Sequence, residues 1–413
     1  MGEIPEHWEV KPGFTVLRER KDKNTGMKSD NVLSLSYGRI IEKPIGKLTG
    51  LVPENFETYQ LVSPGDIIFR PTDLQNDKVS LRTGLSMFTG IITSAYINLQ
   101  PVNADPQFLH YFLHTTDTNK VIYGLGSGLR QNISYLDFKR FLIGIPPIQE
   151  QESIAKFLDN KCKKIEAAVI LKEQQIEKLK ELRQITIHNA FTKGVSHLKG
   201  EVVSVKDSGI DWIGEIPEHW EVKRLKNVLI ERNERSQLGT EPLFMMSQIH
   251  GLVLRKDYHE KEEVAKSAEG NKLVYQNDLV FNKLKPHLGV FYKNKLDTVG
   301  IVSPDYAVYY SDTLDDIIFL EYLFRIPEYI SQFKIKATGI VEGLIRLYTS
   351  DLFSIHVAIP PLSEQQEIVT YLENQTSKID QAIAQKQQQI IKLKEYKQSL
   401  INEVVTGKIK VTL

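Results

Sequence analysis

The sequence has few of the features found in secreted or membrane proteins. Its 413 residues include one cysteine, Cys162, so no disulfide can form within the chain. No apolar run approaches the roughly 18 residues of a membrane span, and the N-terminus lacks the basic and apolar segments of a signal peptide. We therefore expect a protein of the reducing cytoplasm that makes no membrane contact.

The sequence also lacks the short motifs of common catalytic sites. It has no phosphate-binding Gly-x-x-x-x-Gly-Lys-Ser/Thr and no His-Glu-x-x-His, and one cysteine excludes cysteine-based zinc spacing. Gly124, Gly126 and Gly128 form a glycine-rich loop, but Leu129 stands where a dinucleotide fingerprint needs glycine. These absences predict a non-catalytic chain that binds no metal or cofactor of its own.

Net charge is absent as well, because 52 Lys and Arg residues balance 52 Asp and Glu residues. This excludes a generally basic protein but leaves room for a local basic surface. The apolar fraction of 41% can supply hydrophobic cores. On length alone, the chain is long enough for about three domains.

The main feature that the sequence does contain is a long internal repeat. Residues Gly2–Lys11 recur letter for letter as Gly214–Lys223. Each copy closes with Ile-Pro-Pro-x-x-Glu-Gln, at 145–151 and at 359–365, while the segments between are mostly different. Such a repeat predicts one architecture built twice, with a variable middle in each copy.

The repeated start contains a histidine next to a tryptophan, which are His7 and Trp8 in the first copy. The second copy has His219 and Trp220 at the same places. Because the element stands at the start of both copies, we interpret it as a structural anchor for each domain rather than as a catalytic site.

Each copy divides into a mixed part and a long helix. Short β-rich runs at 66–69 and 278–281 lie between Gly, Pro and Asn residues, and helical patterns follow at 108–115 and 317–325. This predicts an α+β fold with two pseudo-symmetric globular domains joined by two long antiparallel coiled-coil helices. The predicted segments are domain 1 at 1–147, helix 1 at 148–194, a linker at 195–212, domain 2 at 213–361 and helix 2 at 362–413.

Both predicted helices carry the same apolar seam, with steps of four and three residues. A lone helix about 60 Å long would leave this stripe in water, so we expect the two helices to pair. The alternative is an amphipathic helix packed only on its own domain. The positions predicted for the coiled-coil seam and for partner docking are Ile165, Val169, Lys172, Ile176, Leu179, Ile379, Ile383, Lys386, Ile390 and Leu393.

Basic and amide side chains concentrate in the dissimilar middles of the two copies. Between Gly270 and Leu296, five lysines outnumber one aspartate, which gives a local charge of +4. Such side chains read base edges in the major groove and hold phosphates, although each one alone is more typical of a solvated surface. The candidate DNA-binding residues are Arg70, Lys78, Arg82, Arg130, Gln131, Asn132, Asn282, Lys283, Lys285 and His287.

The repeated start and the closing helices resemble those in each half of a type I restriction–modification specificity subunit. Three interior segments share this resemblance, namely Pro64–Phe69, Gly90–Tyr96 and Gly300–Tyr306. The resemblance covers essentially the whole chain, in the same order and twice. It implies that each domain is a target-recognition domain for one part of a split double-stranded DNA sequence.

The resemblance also implies partners and cofactors. The paired helices would dock two methylation subunits, which use S-adenosylmethionine to methylate adenine. Two restriction subunits would supply translocation and cleavage, with ATP and Mg. This chain would itself catalyse nothing and would bind none of these cofactors.

The second copy departs from the family pattern in two places. Gln276-Asn277-Asp278 replaces Pro64-Gly65-Asp66. The residues that replace Gly126–Arg130 end at Arg346, which is therefore the candidate DNA-facing residue of this copy.

Two other classes of function stay open from the sequence alone. One is a structural adaptor whose coiled coil binds protein partners, and the other is an enzyme without a known motif. Alanine replacement of Arg130, Lys283 and Lys285 separates a DNA reader from an adaptor, because only a reader would lose DNA affinity. The target bases depend on loop geometry and DNA shape, which the sequence does not reveal.

Overall fold

The computed structural model shows two compact units, made of Met1–Glu173 with Lys386–Leu413 and of Gln174–Gln385. The residues that the structure describes are 4–44, 55–72, 74, 81–125, 132–247, 250–258, 268–312, 314–339 and 345–411. Among them, no helix combines the length and the apolar character needed to cross a membrane. Each unit contains one β-rich domain and part of both long helices.

The first unit is built from short antiparallel strands and helices. Its strands are β1 (Glu9–Pro12), β2 (Leu17–Arg20), β3 (Leu33–Ser36), β4 (Arg39–Glu42), β5 (Gln60–Val62), β6 (Ile67–Phe69), β7 (Thr83–Leu85), β8 (Gly90–Ile92), β9 (Ile97–Pro101) and β10 (Leu142–Ile145). Its helices are α1 (Pro106–Thr118), α2 (Tyr135–Phe138) and the first part of α3 (Ile148–Leu198). The central sheet has the order β2-β9-β6-β7, and β1-β10, β3-β4 and β5-β8 form separate pairs.

The second unit repeats this architecture. Its strands are β11 (Val205–Asp207), β12 (Glu215–Pro217), β13 (Glu221–Arg224), β14 (Ile230–Glu231), β15 (Phe244–Ser247), β16 (Gly251–Leu254), β17 (Lys272–Val274), β18 (Leu279–Asn282), β19 (Phe291–Lys293), β20 (Gly300–Val302), β21 (Tyr306–Tyr310) and β22 (His356–Ile359). Its helices are α4 (Leu314–Leu323), α5 (Pro327–Lys336), α6 (Thr349–Phe353) and the first part of α7 (Leu362–Val405). The sheet order β14-β21-β18-β19, with pairs β13-β22, β15-β16 and β17-β20, matches that of the first unit, and the pair β11-β12 is an addition in the second unit.

The two long helices run antiparallel within the first unit. Lys397 Nζ lies 2.6 Å from Glu166 Oε1, and Lys172 Nζ lies 2.7 Å from Gln389 Oε1. Residues further along α3 therefore contact residues earlier in α7, as in an antiparallel pair. The second unit shows the same pairing through Arg183 and Asp380 and through Lys199 and Glu367. The predicted α+β fold, with one domain architecture built twice and an antiparallel pair of long helices, is confirmed.

None of the ten predicted seam residues is fully exposed. Ile165, Ile176, Ile379 and Ile390 are buried, and the other six are half-buried. Their burial agrees with the predicted pairing, and Lys172 contacts Gln389 of the other helix. Cys162 is also buried, in the hydrophobic core of the first unit.

The repeated His-Trp element anchors the start of each domain to the first turn of a long helix. Trp8 Nε1 donates a hydrogen bond to Glu150 Oε1 at 3.1 Å, and His7 Nε2 lies 2.8 Å from the other carboxylate oxygen. In the second unit, Trp220 Nε1 donates to Glu364 at 3.0 Å. These contacts explain why the element recurs, and they support its interpretation as a structural anchor.

The C-terminal end of each long helix packs against the anchor of the other copy. Gly407 has a φ of +77°, and a Cβ atom there would collide with Pro5. Gly194 has a φ of +76° and interrupts the helical path of α3; its Cβ would lie 2.7 Å from Glu364 and 3.5 Å from Trp220. Each unit is therefore completed by a helix end from the other copy.

A buried carboxylate paired with an arginine lies in each central sheet. Arg20 Nη1 lies 2.6 Å from Asp66 Oδ2, and Arg232 Nε lies 2.8 Å from Asp278 Oδ2. Both aspartates are almost fully buried. Burial raises the pKa of each carboxyl, while the neighbouring arginine acts to lower it. Removal of the arginine would leave an uncompensated buried carboxylate.

The turn before each carboxylate keeps one backbone shape with different residues. Gly65 has a φ of +89° and Asn277 a φ of +69°, and asparagine tolerates this left-handed conformation better than most residues. The backbone N–H groups of Ser63 and Tyr275 each donate to the following aspartate at 2.8 Å. The replacement in the second copy therefore conserves the structure of the turn.

Candidate nucleic-acid interface

In the second unit, the candidate residues gather where the central strand β18 ends. Asn282 is the last residue of this strand, and the carbonyl of Lys283 accepts a hydrogen bond from the Leu347 N–H at 3.0 Å. This bond places Arg346 next to the strand end. The Arg346 guanidinium donates to Asp305 Oδ1 at 2.9 Å. Two segments that are 63 residues apart in sequence, at 283 and 346, therefore form one polar surface.

The electrostatic environment of this surface is positive. Burial lowers the pKa of Lys283, and the positive charges of Lys272 and Arg346 lower it further, against the opposing effect of Glu231 and Asp305. Lys272 is buried and pairs with Glu231 at 3.1 Å. An anion placed beside Lys283 would stabilise its charged form, as a DNA phosphate does for a contacting lysine.

The exposed edge of the same surface carries two further candidates. Lys285 directly precedes the short 3-10 turn Pro286–Leu288, and His287 lies within it. Both side chains are exposed. Gly289 ends this turn in a left-handed conformation. The turn therefore presents both side chains to solvent within a few residues of Lys283.

The first unit uses the same structural position with different side chains. The half-buried Arg70 follows strand β6, and the Pro71 carbonyl accepts a hydrogen bond from the Ile133 N–H at 2.9 Å. This bond places the exposed Asn132 where Arg346 lies in the second unit. The strand ends of the two units thus offer different donors and acceptors.

These matched hydrogen bonds correct the register predicted from the sequence. Asn132 occupies the position equivalent to Arg346. The alignment of Gly126–Arg130 with the segment ending at Arg346 was wrong because these two segments differ in sequence. The hydrogen bonds to Pro71 and Lys283 instead follow the matching strands β6 and β18. Lys78, Arg130 and Gln131 lie outside the described residues.

Arg82 lies in the protein interior, which corrects its predicted place on a DNA-binding surface. It has no solvent exposure, and its guanidinium donates to the Thr72 carbonyl at 2.6 Å and to Tyr123 Oη at 3.1 Å. Its backbone N–H donates to Asp117 at 2.7 Å. We assign Arg82 to the support of the surrounding loops, because a buried arginine must satisfy its donors within the protein.

A positively charged cavity lies beside the hairpin β15-β16 in the second unit. Its volume is about 540 Å³, and the charged side chains that line it are Arg183, Lys293, Lys295, Glu321 and Arg325. Four positive charges and one negative charge give this wall a balance of +3. Burial raises the pKa of Glu321, which pairs with Arg325 at 2.7 Å. The sequence does not indicate that Arg183 lines this cavity, because α3 comes close to the other lining residues only in the folded chain.

The comparisons with known proteins agree with the predicted family. The family model of the type I restriction modification DNA specificity domain matches residues 85–181. A putative type I restriction enzyme MjaX specificity subunit from Methanocaldococcus jannaschii is 26% identical, over 100% of this chain and 96% of that protein. The EcoKI specificity subunit of Escherichia coli K12 is 23% identical, over 99% of this chain and 90% of that protein.

Two solved structures share the fold over nearly the full length of both chains. A chain from a study of complex assembly and conformational transition in the type I R-M system has a TM-score of 0.71 at 17% identity, over 99% of this chain and 100% of that one. The HsdS subunit from Thermoanaerobacter tengcongensis has a TM-score of 0.59 at 16% identity, over 98% of each chain. In sequence and in fold, the chain described here is therefore similar, along nearly its whole length, to the specificity subunits of type I restriction–modification enzymes.

Proposed function

We propose that this chain reads a split DNA target with two different domains and directs adenine methylation and restriction by partner subunits. The target-recognition domains would be 1–147 and 213–361. The spacer helices would be 148–194 and 362–413, with 195–212 as the linker.

One observation carries this proposal: the same fold occurs twice with different side chains at the same strand end. The first unit places Arg70 and Asn132 there, and the second places Asn282, Lys283 and Arg346. Arginine and asparagine differ in the base edges they bind, since arginine pairs with guanine and asparagine with adenine. Two unlike surfaces on one repeated scaffold suit a target with two unlike halves.

The partners would bind the outer surface of the helix pair. The ten predicted seam positions, six of which are half-buried, would contribute to this docking. Outward apolar side chains remain on both helices, and large exposed side chains of this kind mark protein interfaces when they cluster. These side chains are Ile170, Leu171, Leu182, Ile185, Ile391 and Tyr396.

The complete enzyme would contain two methylation subunits and two restriction subunits. Two similar halves of one chain suit two copies of a methylation partner. S-adenosylmethionine would bind to the methylation subunits, and ATP and Mg to the restriction subunits. This chain would supply the DNA contact and would bind none of the three.

The first test is co-expression of this chain with its methylation partner in a host without DNA methylation. Long-read sequencing would then map the methylated adenines. We expect a split motif with two unlike halves. No methylation from a complex that stays intact on a sizing column would contradict the proposal and favour a structural adaptor. Methylation or cleavage by the isolated chain would show an enzyme.

The second test uses Lys283→Ala and Arg346→Ala in the same complex, with Lys408→Ala as the control. Lys408 is an exposed lysine beyond the end of α7. If Lys283 binds a phosphate, its replacement should weaken binding to all sequences and reduce the salt slope by about one. If Arg346 binds a base edge, its replacement should relax the preference at one motif position. An adaptor would show neither effect.

A further inference from the structure

The hairpin β3-β4 ends in an exposed aromatic side chain. Strand register pairs Ser36 with Arg39, so the loop contains only Tyr37 and Gly38. Tyr37 is 93% exposed, the highest exposure of any aromatic residue in the described parts of the chain. A tyrosine in this position buries almost no surface and therefore contributes little to the core.

The backbone at Tyr37 is also unfavourable for a large side chain. Its φ is +47° and that of Gly38 is +75°, as a two-residue type I′ hairpin turn requires. Asn, Asp or Gly fill such a position at lower cost than a bulky residue. Strained residues of this kind concentrate where function requires their side chains.

The hairpin below the tip is held firmly against the domain. Leu33 and Ile40 are buried in a small core with Ile68 and Ile92. Gly84 in strand β7 permits this close packing, because a Cβ there would lie 2.6 Å from a Leu35 methyl group. The tip is therefore presented on a fixed two-stranded ribbon, the second kind of element, besides an α-helix, that fits the major groove of DNA.

The equivalent hairpin of the second unit indicates the kind of ligand that this position would meet. Hairpin β15-β16 packs on β19 and β20 as β3-β4 packs on β7 and β8. His250 and Leu252 of that hairpin line the cavity described above, with its charge balance of +3. In the first unit, Arg39 next to the tip has a largely exposed side chain that pairs with Glu166 at 3.2 Å. The positive balance beside the second hairpin favours a polyanion such as DNA over an apolar protein surface.

We propose that Tyr37 reads base edges in the major groove of the DNA half-site bound by the first unit. This inference rests on the proposed function and assigns a residue that carries it. The ring face can pack against a thymine methyl group, and the hydroxyl can donate to or accept from a purine edge. The strain at the tip would then be the cost of an aromatic side chain at the position closest to the bases.

The test uses the complex of the full chain with its methylation partner and DNA duplexes carrying the mapped target. Tyr37→Asn suits the turn and removes the ring, and Tyr37→Phe keeps the ring but removes the hydroxyl. Phe14→Ala is the matched control, since Phe14 is 57% exposed outside the hairpin. We expect Tyr37→Asn to bind the target about tenfold more weakly, with base preference lost in one half of the motif and an unchanged salt slope.

The position of the effect supplies an internal check. Tyr37→Asn and Arg346→Ala should change opposite halves of the motif, and Tyr37→Asn should not lower the melting temperature. An unchanged motif and affinity would overturn the inference while leaving the proposed function in place. Dissociation of the methylation partner on a sizing column would overturn it in favour of a protein contact. A wild-type complex that methylates no split motif would overturn both.

Discussion

Two buried histidines make the stability of the first unit depend on pH. His110 and His114 lie one turn apart on α1, with ring centroids 6.2 Å apart. Both ring nitrogens of His110 are buried without a hydrogen bond, and the Thr83 backbone lies close by, outside normal hydrogen-bond geometry. Burial lowers the pKa of each histidine to about 4, with smaller effects from His114 on His110 and from Lys397 on His114.

The direction of the effect follows from the lowered pKa. Between the unfolded value near 6.5 and the folded value near 4, the unfolded chain binds more protons, so acid favours unfolding. The stabilisation is complete above pH 6.5 and is lost as the pH falls towards 4. At pH 5, each histidine should cost about 2 kcal/mol of unfolding free energy relative to pH 7.5, from 1.36 kcal/mol per pKa unit.

The prediction is tested with His110→Leu, which removes the titrating group and the two unsatisfied nitrogens. Urea unfolding at pH 7.5 and at pH 5.0 gives the loss of stability for wild type and variant. We expect the variant to lose about 2 kcal/mol less than wild type on acidification. Asp66 and the other carboxyls with raised pKa have the opposite pH effect, but they are common to both proteins and cancel in the difference.

The matched control is His197→Leu, because His197 is exposed. This variant should lose as much stability on acidification as wild type. Equal losses for wild type, His110→Leu and the control, within about 0.5 kcal/mol, would refute the proposed charge burial.

Three further predictions concern the packing. Asp278→Ala should destabilise the second unit by about 1–3 kcal/mol, because Arg232 loses its buried carboxylate partner and keeps the more exposed Glu234, and urea unfolding measures this loss. Gly90→Ala should lower the melting temperature, because its Cβ would collide with the Asn31 carbonyl; an unchanged value would show that this close approach is not tight. The first copy alone, ending at Gly194, should form a dimer on a sizing column and direct methylation of a symmetric split site. The reason is that the helix end of each molecule would cover the His-Trp anchor of the second molecule. A soluble, folded monomer would contradict this.

Much of the architecture could be predicted from the sequence because it depends on local periodicity and on repetition. The letter-for-letter repeat at Gly2–Lys11 and Gly214–Lys223 predicts two equal domains, and the structure repeats the sheet order strand for strand. The apolar steps of four and three residues predict the paired helices, since this spacing places one stripe on one side of a helix. The order of these motifs also indicated the family to which the comparisons show similarity.

The placement of individual side chains was decided only by the tertiary structure. Arg82 and Arg70 look alike in the sequence, but one is enclosed by loops and the other is half-buried at a strand end. Asn132 became the counterpart of Arg346 through backbone bonds between segments far apart in the chain. The completion of each unit by the other copy's helix end has the same origin. Burial and register depend on contacts between distant residues, and no local pattern records them.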